Sequence, residues 1–186
     1  MKKVLFASAA LLLTIMGTEA QANDAITKAE KKEIKKEKKE ERVALRRQAG
    51  NEVSYQSKQS FYKDFGDQPN VVWTRTKFYD EAIFDKDGVP TTAYYDLDAN
   101  LVGTTNMKTF ADLPAAGQKQ IKKDYKDYTV KAVVFYDDNE NNDTDMVLYG
   151  NQFDDEDNYF VELQKDNKTI IVQCTMEGLV GYFAER

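Results

Sequence analysis

The sequence predicts an α+β protein built of two tandem units, each a helix followed by four antiparallel strands, with the helices packed on one face of the sheet. Three observations predict it. Residues 78–103 (FYDEAIFDKDGVPTTAYYDLDANLVG) alternate in polarity with period two and are cut by two short turns. Residues 159–181 (YFVELQKDNKTIIVQCTMEGLVG) repeat this pattern more weakly. A segment with helical spacing and a further strand precede each copy. The correspondences keep their order. Lys63-Asp64-Phe65 matches Lys123-Asp124-Tyr125, Lys86-Asp87-Gly88 matches Lys165-Asp166-Asn167, and Leu101-Val102-Gly103 matches Leu179-Val180-Gly181. The folded domain is expected over residues 50–186, with the first repeat over about 50–107 and the second over about 108–186.

Taken in order, the chain opens on a secretory signal over residues 1–22. Lys2 and Lys3 supply its positive end, residues 4–16 its apolar stretch, and Ala20-Gln21-Ala22 a small-x-small cleavage site, so cleavage is expected after Ala22. The apolar stretch is too short to read as a membrane span. A periplasmic or secreted protein follows, with no integral span in the mature chain. Cys174 is the only cysteine, which leaves no internal disulfide. It reads as a small apolar filler on a strand.

Residues 23–49 read as a Lys/Glu-rich tether. Residues 24–47 carry ten Lys/Arg and six Asp/Glu. Like-charge pairs four apart, such as Lys28/Lys32, Lys31/Lys35 and Glu33/Glu37, weaken an isolated helix, and apolar residues are too few to form a stripe. The expectation is a solvated, partly helical segment. Electrostatic contact with an anionic surface, such as lipid headgroups, is its functional alternative.

The first core helix is expected over residues 53–65, carrying Val53, Phe61 and Phe65 and stopped by Gly66 and Pro69. Strands are expected over residues 71–75, 78–84, 91–95 and 101–105. Gly88 suits the positive φ of the first turn, and Pro90 stands where a strand tolerates a missing N–H. Asp112-Leu113-Pro114 opens the second helix. Strands follow over residues 128–136, 159–164, 169–174 and 179–183.

Composition excludes several functions. Residues 48–186 carry fourteen Lys/Arg against twenty-five Asp/Glu. Such a body repels phosphate backbones, so no nucleic acid is expected as partner. The chain has no histidine, the commonest general base and metal ligand. Ser54, Ser57 and Ser60 therefore have no histidine to activate them, and no glycine loop is suited to cradle phosphate. Carboxylates are so abundant that chance pairs are expected. A carboxylate-based hydrolase is accordingly only a third reading, and no enzyme is expected.

Two surfaces carry candidate sites. The acidic insertion over residues 137–157 places Asp137, Asn139, Asn141 and Asp143 at the alternate spacing of a calcium loop, with Asp145, Asp154, Asp155 and Asp157 able to add oxygens. Asn142 stands where that loop wants Gly, and Leu148 where it wants a bidentate Glu. The competing reading is a solvated acidic hairpin loop that discourages edge pairing. No other cofactor is indicated. The second surface is the sheet face away from the helices. If Phe78, Asp80, Ala82 and Phe84 face the helices, Tyr79, Glu81 and Ile83 face out. If Tyr159, Val161 and Leu163 face in, Phe160 faces out. Tyr79, Tyr94, Phe160 and Ile171 would then form an open apolar patch of the kind that binds proteins, set against ordinary cross-strand pairing on a wet sheet.

The exported start, the strand Asn70-Val71-Val72-Trp73, the strand end Ala93-Tyr94-Tyr95-Asp96 and the helix start Asp112-Leu113-Pro114 resemble the PepSY-like, β-lactamase-inhibitor-like family of exported Bacteroidetes proteins. The resemblance covers residues 55–186. It implies helices on one face of an antiparallel sheet and a periplasmic or secreted location. The whole points to an exported, non-enzymatic module that binds an envelope or extracellular protein or peptide, a role that extends to inhibiting an envelope enzyme. A calcium-binding envelope protein is the alternative.

Overall fold

The computed structural model describes residues 28–48 and 50–186. The expected signal peptide and residues 23–27 of the expected tether lie outside the described residues. Helix α1 spans Lys28–Gln48 and α2 Tyr55–Phe65. Strands β1 (Val72–Arg75), β2 (Asp80–Lys86), β3 (Val89–Tyr95) and β4 (Leu101–Lys108) follow. A 3-10 turn at Phe110–Asp112 leads into α3 (Ala115–Asp124). The remaining strands are β5 (Thr129–Asp138), the short β6 (Val147–Leu148) and β7 (Asn151–Gln152), β8 (Asn158–Lys165), β9 (Lys168–Thr175) and β10 (Val180–Glu185).

Eight strands form one antiparallel sheet in the order β1-β2-β3-β4-β5-β8-β9-β10, while β6 and β7 pair as a separate small hairpin. The α+β class is as expected: four strands follow α2, and six follow α3, of which four join the large sheet. Strand registers fix the faces. Ala93 pairs with Thr104, Asn106 with Phe135 and Val133 with Val161, so these residues share one face. On that face Phe61 of α2 packs against Ala82, Phe84, Ala93 and Tyr95, while Leu113 and Ile121 beside and within α3 pack against Val133, Val161, Leu163 and Val172. Both helices therefore cover the same side.

Local chemistry explains the elements. Ser54 caps α2, its Oγ accepting from Ser57 N at 2.9 Å. Asp87 and Gly88 both take positive φ in the tight turn between β2 and β3, and Gly88 N donates to Asp85 Oδ1 at 2.6 Å. Thr109 and Asp112 form a capping box ahead of α3. Gly103 makes room for a ring, since a Cβ there would lie 2.5 Å from the Tyr136 hydroxyl oxygen. Cys174 is buried as a filler, with its Sγ where a Cβ on Gly117 of α3 would fall, and burial pushes the thiol up. At the β10 edge, Gln120 of α3 acts as a surrogate strand. Its Nε2 donates to Val180 O at 3.2 Å and its Oε1 accepts from Val180 N at 3.3 Å, closing part of an edge that would otherwise invite pairing.

The tether departs from expectation. From Glu37 onward α1 belongs to the same compact body as the sheet. The like-charge pairs arise because the helix keeps its cations on one flank and its acids on the other. Lys39, Arg42 and Arg46, at i, i+3 and i+7, share a flank, while Glu37, Glu40 and Glu41 are exposed. Two cations of that flank turn to the protein itself. Lys39 Nζ donates to Gly150 O at 2.9 Å and lies 5.3 Å from the centre of the Phe78 ring. Arg46 is buried and bonds Asp80 Oδ1 at 2.7 Å.

Asp80 is the polar hub of this end of the body. Its residue is 0% exposed. Oδ1 accepts from Arg46 Nη2 and Arg75 Nε, both at 2.7 Å. Oδ2 accepts from Ser57 Oγ at 2.8 Å, Ser54 N at 3.0 Å and Arg75 Nη2 at 3.0 Å. One carboxylate thus ties α1, the start of α2 and β1 to β2.

Candidate partner-binding face

The sheet face that α2 and α3 leave free can be traced strand by strand. Val72 pairs with Ile83, Ile83 with Thr92, Thr92 with Thr105, and Thr105 with Tyr136. The structure gathers Tyr79, Tyr94, Phe160 and Ile171 into one apolar cluster on this face, and it does not leave them open. They are 3%, 8%, 0% and 0% exposed. Met146, Val147 and Phe153, from the insertion between β5 and β8, fold back over them.

The expected open patch is therefore a second core under a flap. The physical reason lies in the insertion itself. Read by its charge, it is a solvated loop. Yet the run Met146-Val147-Leu148-Tyr149 and Phe153 sit between its two acidic ends, and this was the signal for a buried element. Phe153 packs edge-on against Tyr136 (5.1 Å between centroids) and Phe160 (4.9 Å). Val147 N donates to Tyr79 Oη at 2.9 Å, and Asn151 Nδ2 donates to Phe183 O at 2.7 Å. Burial pushes the Tyr79 phenol up to about 12, so it keeps its proton.

The expected calcium ligands are dispersed. Asp137 and Asp138 belong to β5, on opposite sides of the sheet, paired with Thr104 and Gly103. Asn139 Nδ2 and Asn142 Nδ2 donate to Leu101 O at 2.6 and 2.9 Å, fastening the start of the insertion to β4. Asn142, which stands where a calcium loop wants Gly, does not take a positive φ. Asn141 is exposed beside Asn139, and Asp145 accepts from Gln152 Nε2 at 2.7 Å. Asp157 Oδ1 accepts from Asp138 N at 2.8 Å, while Asp143 and Asp154 are exposed. Among the described residues, no three acidic side chains converge as a metal-ligand set.

The acids nevertheless crowd at one point. Partial burial of its carboxyl, then a hydrogen bond with Asp138 and the charges of Asp138, Asp145 and Asp143, push Asp155 up to about 7. A raised carboxyl binds its proton more tightly in the folded chain than in the unfolded one. Its contribution is fully present below the ordinary carboxyl range and is lost as pH rises towards 7. Asp155→Asn, which needs no proton, is expected to narrow the gap in Tm between pH 5 and pH 8 relative to wild type. An unchanged gap in thermal scans would count against the acid pair.

Part of the face that α2 and α3 leave free stays open. Val72 is 58% exposed, Ile83 45% and Met107 57%, all beyond the reach of the flap. Their contribution was hidden in the sequence because Tyr79 and Tyr94 are larger and drew the assignment. Ser57 is buried and donates to Asp80, and Ser54 serves as the helix cap. No helix among the described residues is long and apolar enough to cross a membrane.

No protein-family profile and no curated protein matches the chain. Solved structures do. A DUF2874 family protein from Bacteroides uniformis aligns with TM-score 0.57 at 16% identity, over 73% of this chain and 89% of its own. A Bacteroides eggerthii protein proposed to be periplasmic gives TM-score 0.57 at 16% identity, over 73% and 88%. A BLIP-like protein from Bacteroides fragilis gives TM-score 0.52 at 18% identity, over 73% and 86%. At these identities the likeness is one of fold, and it agrees with the resemblance found in the sequence: the chain has the architecture shared by the DUF2874 and BLIP-like proteins of Bacteroides.

Proposed function

We propose that the protein is an exported, non-enzymatic protein-binding module that recognises its partner through the part of the sheet face opposite α2 and α3 left uncovered by the flap. The observation that carries this reading is the exposure of the apolar residues Val72, Ile83 and Met107 on that face, beside the part that the flap covers. A sheet face offers rigid contact area with little side-chain entropy to lose, and apolar residues at its centre are the groups that dominate binding. The BLIP-like name of one structural neighbour and the proposed periplasmic place of another support the reading. Inhibition of an envelope enzyme by the same face is its natural extension.

Ile83→Asp combined with Met107→Asp tests it by photo-crosslinking in envelope extract. A specific crosslinked species is expected with wild type and is expected to fall at least about tenfold in the double variant, the loss of one or two contacts of hot-spot size. Tyr62→Ala, on the exposed side of α2, serves as control and is expected to leave the species intact. Equal crosslinking by wild type and the double variant of matched Tm would sink the proposal.

A further inference from the structure

Where α1 ends, the surface sinks into a depression of about 350 Å³ lined by Arg46, Arg47, Arg75 and Lys77 with Gly50 and Asn51. No carboxylate lines it. Asp80, bonded to Arg46 and Arg75, offsets one of the four positive charges and leaves three. The carbonyl end of α1 offsets roughly half a charge more. More than two positive charges remain, in a chain whose residues 48–186 are otherwise strongly acidic.

We propose that this depression binds a tetrahedral oxyanion of the phosphate or sulfate class. Arg75 spends its fork on Asp80 and its Nη1 on Gly50 O, so the donors that meet such oxygens are those of the exposed Arg47 and Lys77 and the Arg46 Nη1, which is buried without a hydrogen-bond partner. A dianion balances the residual charge better than a single carboxylate does. The site is prepared in advance. Asp80 holds Arg46 and Arg75 nearly buried, at 4% and 7% side-chain exposure, so little rotamer freedom is left to lose on binding. Arg47 and Lys77 are exposed and complete the cradle. Burial pushes the Arg46 guanidinium below its ordinary value, Asp80 draws it back, and Arg75 pushes it down again, a repulsion that a bound anion relieves. The acidity of the rest of the body favours a single anionic group over a polyanion.

The test compares the mature chain with an Arg47→Gln/Lys77→Gln variant, which leaves the Asp80 network intact. Thermal unfolding is followed in phosphate, sulfate or acetate at about 10 mM and constant ionic strength, low enough to limit general salt effects. Phosphate and sulfate are expected to raise Tm by about 2–4 °C over acetate, and the rise is expected to vanish in the variant. No rise, or an equal rise in the variant, overturns the site. Sedimentation with phosphatidic acid vesicles against phosphatidylcholine vesicles identifies the source. Phosphatidic acid-dependent sedimentation lost in the variant assigns a lipid headgroup. A phosphate response without sedimentation assigns the free ion, and either result upholds the site.

Discussion

Replacing Asp80 with Ala is expected to destabilise the protein by about 3–5 kcal/mol. The argument is one of asymmetry. Asp80 accepts five hydrogen bonds, from Arg46, Arg75, Ser54 and Ser57. An intact buried ion pair contributes little net stability, because desolvation offsets attraction. Removing one partner leaves the others charged and unsolvated. Here two guanidinium groups would remain buried without their counter-charge, and the N-terminus of α2 would lose its link to β2. Urea unfolding monitored by Trp73 fluorescence measures the loss. A change below about 1 kcal/mol would show that water or a rearranged α1 takes over the role of Asp80.

The same residue sets an acid limit. Burial raises the Asp80 carboxyl, but the hydrogen bonds from Arg75, Ser54 and Ser57 and the charge of Arg46 outweigh it, so the folded value lies below the ordinary one. A depressed carboxyl contributes stability that is present above the unfolded value and lost as pH falls through the folded value. The hub is therefore intact at neutral pH and weakens only in strong acid.

Phe153→Ala is expected to cost about 3–5 kcal/mol and to loosen the flap ahead of the sheet. Phe153 is nearly buried and touches rings on three strands: Tyr136 of β5, Phe160 of β8 and Phe183 of β10. Its truncation removes the central apolar anchor of a segment whose own strands are two residues each. Hydrogen exchange separates local from global loss. The Val147 amide, which donates to Tyr79 Oη, is expected to lose more protection than the amides of β9 between β8 and β10. Equal loss at both would mean that the flap and the sheet open together. Freed of the flap, Tyr79, Tyr94 and Phe160 would become the open apolar patch that their alternation in sequence suggests. The variant thus also tests whether an uncovered face binds partners that the closed one does not.

Most elements and the sidedness of the strands were legible in the chain, though not the short β6–β7 hairpin. Strand alternation, the Asp87-Gly88 turn and the helix opening at Asp112-Leu113-Pro114 are local signals, set within a few residues by backbone sterics and hydrogen bonding. They placed Ala82 and Phe84 on the helix side, and Tyr79 and Phe160 on the other; Phe78, expected with Ala82 and Phe84, packs with Tyr79 instead, because it lies ahead of β2, where the alternation does not yet hold. What covers the second side depends on contacts between residues far apart in the chain. Phe153 reaches back across the sheet, Val147 meets a hydroxyl 68 positions away and Arg46 meets a carboxylate 34 positions away. Such contacts depend on the summed burial of distant apolar groups and on the desolvation of particular charges. Neither leaves a periodic trace in the chain. The acidic ends of the insertion masked its apolar middle, and the charge of α1 masked the single arginine that anchors it.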